Sequence, residues 1–310
     1  MIRITLELEK QTVKMPVEQR VWFVTGASGG FGQAITEAAL EAGECVVATA
    51  RRVEALAYLS EKYPPSRLLV QKLDVSSNSE IDSAFDNMIK HFGRVDVVVN
   101  NAGYAIFGEV EGIPEADARK EFDVQFWGPV HICKKTAATA REVNAKGSRV
   151  TIFNISSAGG YNANPGISFY SASKFALEGF TESFSKELAS EWGIRCCIIE
   201  PGGFETGWFG AGITVPVHPA YEAKASPFRS LRSSIVMLGD PVKAASAILN
   251  LSRQDQLPMR VQLGSDSLAI VQAKAKKVLK DSEEHAELAR STDKDGMDGK
   301  AYGEMIIRRL

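Results

Sequence analysis

Residues 21–32 read VWFVTGASGGFG, a short apolar run that breaks into a cluster of glycines at Gly26, Gly29, Gly30 and Gly32. The run Val21, Trp22, Phe23, Val24 is apolar at every position rather than at alternate ones. That pattern belongs to a strand covered on both faces. A helix-compatible stretch, residues 31–42, follows at once. Glycines in such a strand–turn–helix junction let the chain turn tightly and bring backbone N–H groups against a pyrophosphate. Gly26, Ser28, Gly30, Phe31 and Gly32 are therefore candidate cofactor-binding positions. The spacing TGxxxGxG differs by one residue from the GxGxxG dinucleotide fingerprint, and a turn that merely packs is the alternative.

Outward from this junction the pattern repeats. Strand-like runs occupy residues 45–50, 68–73, 95–100, 150–155 and 194–200, and helix-compatible stretches occupy 31–42, 79–91, 115–143 and 170–191. Regular alternation of this kind implies right-handed βαβ crossovers around an open parallel sheet. The expected fold is α/β, doubly wound, with about seven strands in a single domain. Asp240-Pro241 supplies an N-cap and a proline at N1 for a further helix. PMRVQLG, ending at Gly264, reads as the edge strand, residues 265–290 as helical, and 291–300 as an exposed turn before a short tail. No repeat, low-complexity linker or composition break marks a second domain.

Composition narrows the function. Thirty-six Lys and Arg against 38 Asp and Glu leave a net charge of −2, which argues against a nucleic-acid partner held by overall positive charge. No apolar run approaches the roughly 20 residues of a membrane span, so no integral membrane segment is expected. MIRITLELEK places acids where a signal peptide has its apolar core. Cys45, Cys133, Cys196 and Cys197 show no CxxC spacing, and a reduced, cytoplasmic chain is the simplest account. Four dispersed histidines make no metal motif.

Two further features carry chemistry. An acid about 20 residues beyond the glycines would bind the adenosine ribose and select NAD. Here the second strand ends Ala50-Arg51-Arg52. Guanidinium groups suit a 2′-phosphate, so NADP(H) is favoured over NAD(H), with Arg51 the contact. Tyr170 and Lys174 stand four apart at the start of a helix, on one face. An ammonium beside a phenol favours the phenolate. Bringing a tyrosine from about 10 to about 7 takes roughly 4 kcal/mol, and the result is a general acid/base for a carbinol or carbonyl oxygen. Alone, this spacing is more often a structural helix pair. Asn154-Ile155-Ser156-Ser157, Asn100-Asn101-Ala102-Gly103 and Pro201-Gly202-Gly203-Phe204-Glu205-Thr206 each end a strand at the same sheet edge, where ligands bind in such folds.

Glycine turn, NNAG, serine, YxxxK and PGxxxT in this order resemble the short-chain dehydrogenase/reductase family, over residues 20–265. The stretch ASKFALEGFTESFSKELA is similar to its steroid and retinol dehydrogenase branch. The resemblance implies a Rossmann-type NADP-binding catalytic domain at 20–265, with an N-terminal extension at 1–19, a substrate lid at 207–239 and a C-terminal helical extension at 266–310. It implies that Tyr170 is the acid/base, that Ser157 orients the substrate oxygen, and that Lys174 binds the nicotinamide ribose and lowers the tyrosine pKa. Asp74 matches the adenine contact, Asn101 lies along the cofactor, and Thr206 matches the hydroxyl near the carboxamide. In one departure, Gln125 stands where the family usually has an Asn that holds a water linking the lysine to solvent.

The expected activity is NADP(H)-dependent hydride transfer between a ketone or aldehyde and its alcohol. Trp208, Phe209, Ile213, Val215, Val217, Tyr221 and Phe228 in the lid, with Tyr104, Ile106, Phe107 and Tyr161, point to a lipophilic carbonyl or alcohol; packing of the lid onto the body is the alternative. A non-catalytic NADPH-sensing regulator and a non-redox epimerase or cyclase on the same scaffold are competing readings. Phe126, Trp127 and Phe180 are candidates for a homodimer or homotetramer face, or for core.

Overall fold

Each apolar run becomes a strand of one sheet. The computed structural model describes residues 19–221 and 236–308; the proposed N-terminal extension, apart from residue 19, and the middle of the proposed lid, including Phe228, lie outside them. Among the described residues, β1 (Val21–Val24), β2 (Cys45–Ala50), β3 (Leu68–Lys72), β4 (Val97–Asn100), β6 (Val150–Ile155), β7 (Ile194–Pro201) and β9 (Arg260–Leu263) align in the order β3-β2-β1-β4-β6-β7-β9. Every neighbouring pair is parallel. The fold is the α/β, doubly wound, single-domain arrangement expected.

Strand residues alternate between two apolar layers. Trp22 and Val24 join Leu40, Leu56, Phe153 and Ile248 on one side, whereas Val21 and Phe23 join Phe85, Met88, Val98 and Ile132 on the other. A strand buried on both faces must be apolar throughout, which is why these runs do not alternate. Full burial of side chains as large as Trp22, Phe23 and Phe153 is worth about 1.5–3 kcal/mol each.

Helices cover both faces: α1 (Gly30–Glu41), α2 (Ala57–Lys62), α3 (Asn78–Phe92), α4 (Glu115–Phe122), α5 (Gly128–Glu142) and α6 (Ser168–Glu187). A short α7 (Trp208–Ala211) precedes the undescribed stretch, and α8 (Pro241–Leu251) and α9 (Ser265–Glu284) follow it. Asp240 caps α8 as expected, its Oδ1 accepting from the amides of Val242 at 2.8 Å and Lys243 at 3.3 Å.

Four local expectations are corrected. The single helix expected over 115–143 is interrupted by a π-helical turn at Asp123–Trp127, an inserted residue of the kind found at functional sites. The strand spans Val97–Asn100 rather than starting at 95; just before it, Asp96 bonds to Val21 through both its backbone N–H and its carboxylate, the latter accepting the Val21 amide at 2.8 Å. Residues 53–62, left without an element, form a 3-10 turn and α2. The tail expected after residue 300 is helical over Gly299–Ile307, beyond the short helix Ala286–Arg290. A separate pair of strands, β5 (Ile106–Phe107) and β8 (Ile213–Thr214), ties the segment after β4 to the start of the lid.

Candidate active site

Parallel strands finish at one edge, and their order reverses between β1 and β4, leaving a crevice there. A cleft of about 620 Å³ occupies that crevice. The ends of six strands and the face of α6 bring Gly26, Ser28, Gly30, Phe31, Arg51, Asp74, Asn101, Ser157, Tyr170, Lys174 and Thr206 to its walls. Gly32 stands behind them. A Cβ at this position would collide with the Gly26 carbonyl oxygen, so the glycine is what lets α1 pack against its own turn.

The glycine end fits a pyrophosphate. Gly26 and Gly30 have φ of 65° and 53°, left-handed conformations that glycine adopts without strain. Helix α1 starts with no side-chain cap and no acid in its first turn, so its leading N–H groups and partial positive charge face the cleft uncompensated. The turn is held from below: Thr25 Oγ1 accepts from the amides of Asn101 at 2.9 Å and Ala102 at 3.0 Å. The Asn101 side chain donates to the carbonyl oxygens of Thr25 at 2.9 Å and Gly26 at 3.3 Å. Asn101 thus lines the cleft while its amide fastens the glycine turn to β4.

At the far end, Arg51 and Arg52 stand at the mouth, both exposed. Asp74 Oδ1 accepts from the Ser76 amide at 3.0 Å and the Ser76 hydroxyl at 2.7 Å. Burial works against its charge, but those two donors, with Arg51 and Lys72, hold its carboxyl below the usual range. The β2 end presents no acid to a ribose, and the residues present fit a phosphorylated nucleotide.

At the inner end, Tyr170 and Lys174 are nearly buried, 7% and 5% exposed. The Ser157 hydroxyl lies within hydrogen-bonding reach of the phenol and favours its ionisation. Lys174 Nζ donates to the Ile155 carbonyl at 2.8 Å and stands 5.7 Å from the centre of the Tyr170 ring. Burial pushes the phenol up to about 12, with Glu121 adding to the rise. Burial also brings Lys174 down to about 8. Burial thus favours the O–H form of this phenol.

Helix α6 is set against the sheet by a chain of buried side chains. Asn100 Nδ2 donates to Asn154 Oδ1 at 2.8 Å, and Asn154 Nδ2 donates to Thr181 Oγ1 at 2.7 Å. The two asparagines face each other in the β4–β6 register. Beside them, Ser156 Oγ donates to Glu178 Oε1 at 2.6 Å.

Gln125 points inward from the π-helical turn and lines the cleft. Its Nε2 lies 3.3 Å from both Glu121 Oε1 and Ser173 Oγ. Sequence reading missed Glu121, although it stands one helical turn before Gln125. It also missed Asp266 and Ile270 of α9, which reach the cleft; Asp266 Oδ2 accepts the Gly203 amide at 2.6 Å. A signal existed for these two, since a parallel edge strand ending at residue 263 delivers its continuation to the ligand edge.

Of the proposed lipophilic lining, Tyr104, Phe107 and Trp208 face the cleft. Trp208 lies edge-on to Tyr170 and Phe107, with ring centres 5.2 and 5.4 Å away. Ile106 and Val215 pack instead into a separate buried cluster with Ile113 and Ala118. Ile213 and Tyr221 are exposed. Tyr161 and Val217 do not line the cleft, and the side chain of Phe209 is not described.

The short chain dehydrogenase family pattern matches residues 20–211. Oxidoreductase BOA17 of Botryotinia fuckeliana is 37% identical over 268 residues, covering 86% of this chain and 96% of that protein. The 3-ketodihydrosphingosine reductase of Bacteroides thetaiotaomicron is 32% identical over 272 residues, covering 86% and 95%. A crystal structure of a short-chain dehydrogenase from Streptomyces avermitilis superposes with a TM-score of 0.81 at 38% identity, covering 90% of this chain and all of that one. With the glycine turn, the strand-end asparagines and the Ser157–Tyr170–Lys174 group in one crevice, the chain belongs to the short-chain dehydrogenase family of oxidoreductases.

Proposed function

We propose that this oxidoreductase uses NADP(H) in preference to NAD(H) to interconvert a lipophilic ketone or aldehyde and its alcohol, with Tyr170 as general acid/base. The observation that carries the reading is convergence. A protonated phenol, a serine hydroxyl and a buried lysine meet in the same cleft as an uncapped glycine turn and two arginines. The nicotinamide supplies or accepts the hydride when bound. Gly26, Ser28, Gly30 and Phe31 would hold its pyrophosphate against α1, Asp74 its adenine and Arg51 its 2′-phosphate, while Thr206 and Lys174 would meet the nicotinamide end. Ser157 orients the substrate oxygen beside the Tyr170 hydroxyl, which gives up its proton to that oxygen as the carbonyl is reduced. Trp208, Phe107 and Ala211 offer an apolar wall that excludes water.

An apolar wall suits a ketone borne on a hydrocarbon body, and the name of the 3-ketodihydrosphingosine reductase relative supports the same class. Four buried free cysteines fit a reducing cytoplasm, and no helix among the described residues is long and apolar enough to cross a membrane. Trp127 and Phe175 are exposed large side chains on the α5 and α6 side, which supports a homodimer or homotetramer.

The test follows nicotinamide absorbance at 340 nm with NADPH and NADH against a panel of lipophilic ketones and aldehydes. Turnover with NADPH is expected, and Tyr170→Phe is expected to lower kcat by roughly 10²–10⁴-fold with NADPH binding intact. Cofactor binding without reduction of any ketone or aldehyde would favour a regulator. Product formed without net nicotinamide change would favour an epimerase or cyclase.

A further inference from the structure

One helical turn before Gln125 lies a further ionisable group that the reaction as described does not use. Glu121 of α4 has no exposed surface, yet it carries a carboxyl. Its Oε1 accepts the Ile106 amide at 3.1 Å and lies 3.3 Å from Gln125 Nε2. Its Oε2 is buried with no partner among the described residues. Gln125 Nε2 stands equally close to Ser173 Oγ, which donates to the Tyr170 carbonyl at 2.7 Å. The carboxyl is thereby joined, through one amide and one hydroxyl, to the helix turn that bears Tyr170 and Lys174.

The surroundings of this carboxyl are few. From α6 come Lys174, whose charge favours the carboxylate, and Tyr170, whose phenolate the carboxylate opposes. From the segment after β4 comes Tyr104, on which Glu121 acts in the same sense as on Tyr170. Strand β5 brings only the Ile106 amide. A buried carboxylate with one unmatched oxygen is costly to keep charged, and burial pushes the Glu121 carboxyl up to about 7.

We propose that Glu121 is a positioning residue for the Tyr170–Lys174 pair: its fully buried carboxyl, joined through Gln125 and Ser173 to the turn of α6 that bears them, supplies a negative charge that favours the lysine ammonium and the tyrosine phenol, and so favours the form of the site that reduces a carbonyl. The proposal rests on Tyr170 being the acid/base. With Glu121 neutral, Glu178 is the remaining carboxylate that favours the ammonium, and it adds nothing against the phenolate. An ionised Glu121 adds a negative charge that stabilises the ammonium and opposes the phenolate. Reduction consumes a phenol O–H, whereas oxidation of the alcohol needs the phenolate, so the added charge acts oppositely on the two directions as pH rises.

The experiment compares pH profiles of kcat/KM for ketone reduction and alcohol oxidation in the wild-type enzyme and Glu121→Gln. The amide keeps an acceptor for Ile106 and removes the charge. Expected is a shift of the alkaline limb of reduction, and of the rising limb of oxidation, to lower pH by about one unit. That is roughly a tenfold gain in oxidation rate on the limb, with KM for NADPH unchanged. A merely structural Glu121 would lower rates without moving the limbs. Profiles that superimpose on wild type, with Tyr170→Phe inactive, overturn this proposal alone. An active Tyr170→Phe overturns the reading beneath it. Should Glu121→Gln fail to fold, infrared titration of wild type against Glu121→Asp decides. A protonated-carboxyl band that titrates near neutrality and moves in the Asp variant supports the assignment. Identical bands in the two proteins overturn it.

Discussion

Replacing Arg51 with alanine tests the coenzyme assignment most directly. The guanidinium stands at the mouth of the cleft, exposed, with Arg52 beside it and Asp74 close enough to feel its charge. A hydrogen bond to a charged group contributes about 1.5–3 kcal/mol, and an exposed site takes the low end because water screens it. About 1.5 kcal/mol corresponds to roughly tenfold in binding. Arg51→Ala is therefore expected to lower kcat/KM for NADPH by about tenfold and to leave NADH nearly unchanged. Removing Arg52 as well is expected to bring the loss to about a hundredfold. The advantage of NADPH over NADH should also shrink as salt is raised from 20 to about 200 mM, because an exposed phosphate–arginine contact is screened. Initial rates at 340 nm with each coenzyme, at saturating ketone, measure all three quantities. Equal losses with both coenzymes would refute the assignment, since Arg51 would then be supporting the turn rather than reading a phosphate.

Two further outcomes concern stability. Asn154→Ala removes the link between Asn100 and Thr181 and leaves buried polar groups unpaired, so urea unfolding should show a loss of about 1–3 kcal/mol; a change inside error would mean that the buried chain contributes nothing. Glu121 sits near 7 when folded and near 4.5 when exposed, so between those values the folded state binds the extra proton. Its contribution is present below pH 4.5 and is lost as pH rises through about 7. Chemical denaturation at pH 5 and pH 7.5 should accordingly show a smaller decline for Glu121→Gln than for wild type.

Much of this molecule is legible in its sequence because the physics is local. Residues 21–24 are apolar at every position for the same reason that they lie in the middle of a covered sheet. The glycines at 26, 30 and 32 announce a turn because the first two take a left-handed backbone that side chains disfavour and the third meets the Gly26 carbonyl where a Cβ would stand. The four-residue spacing of Tyr170 and Lys174 needs only a helix to bring them to one wall. What could not be read depends on distant partners. Glu121 looks like any acid on a polar helix until α4 docks on β5, a strand of two residues with no signature of its own. The burial that pushes the Tyr170 phenol up follows the same rule, since spacing reveals the neighbouring lysine but not the elements that cover the ring. The π-helical turn that aims Gln125 inward is likewise invisible in composition.

Asp266 has a practical consequence. It sits on the first turn of α9 and grips the amide of Gly203, and a Cβ on either Gly202 or Gly264 would strike its carboxylate. The start of α9 is thus clasped to the loop that carries Thr206. An engineer who trims the chain after Leu263 would remove a rivet from the roof of the cleft rather than an ornament. Fusion partners and affinity tags belong beyond that clasp, where they would leave its grip on the roof intact.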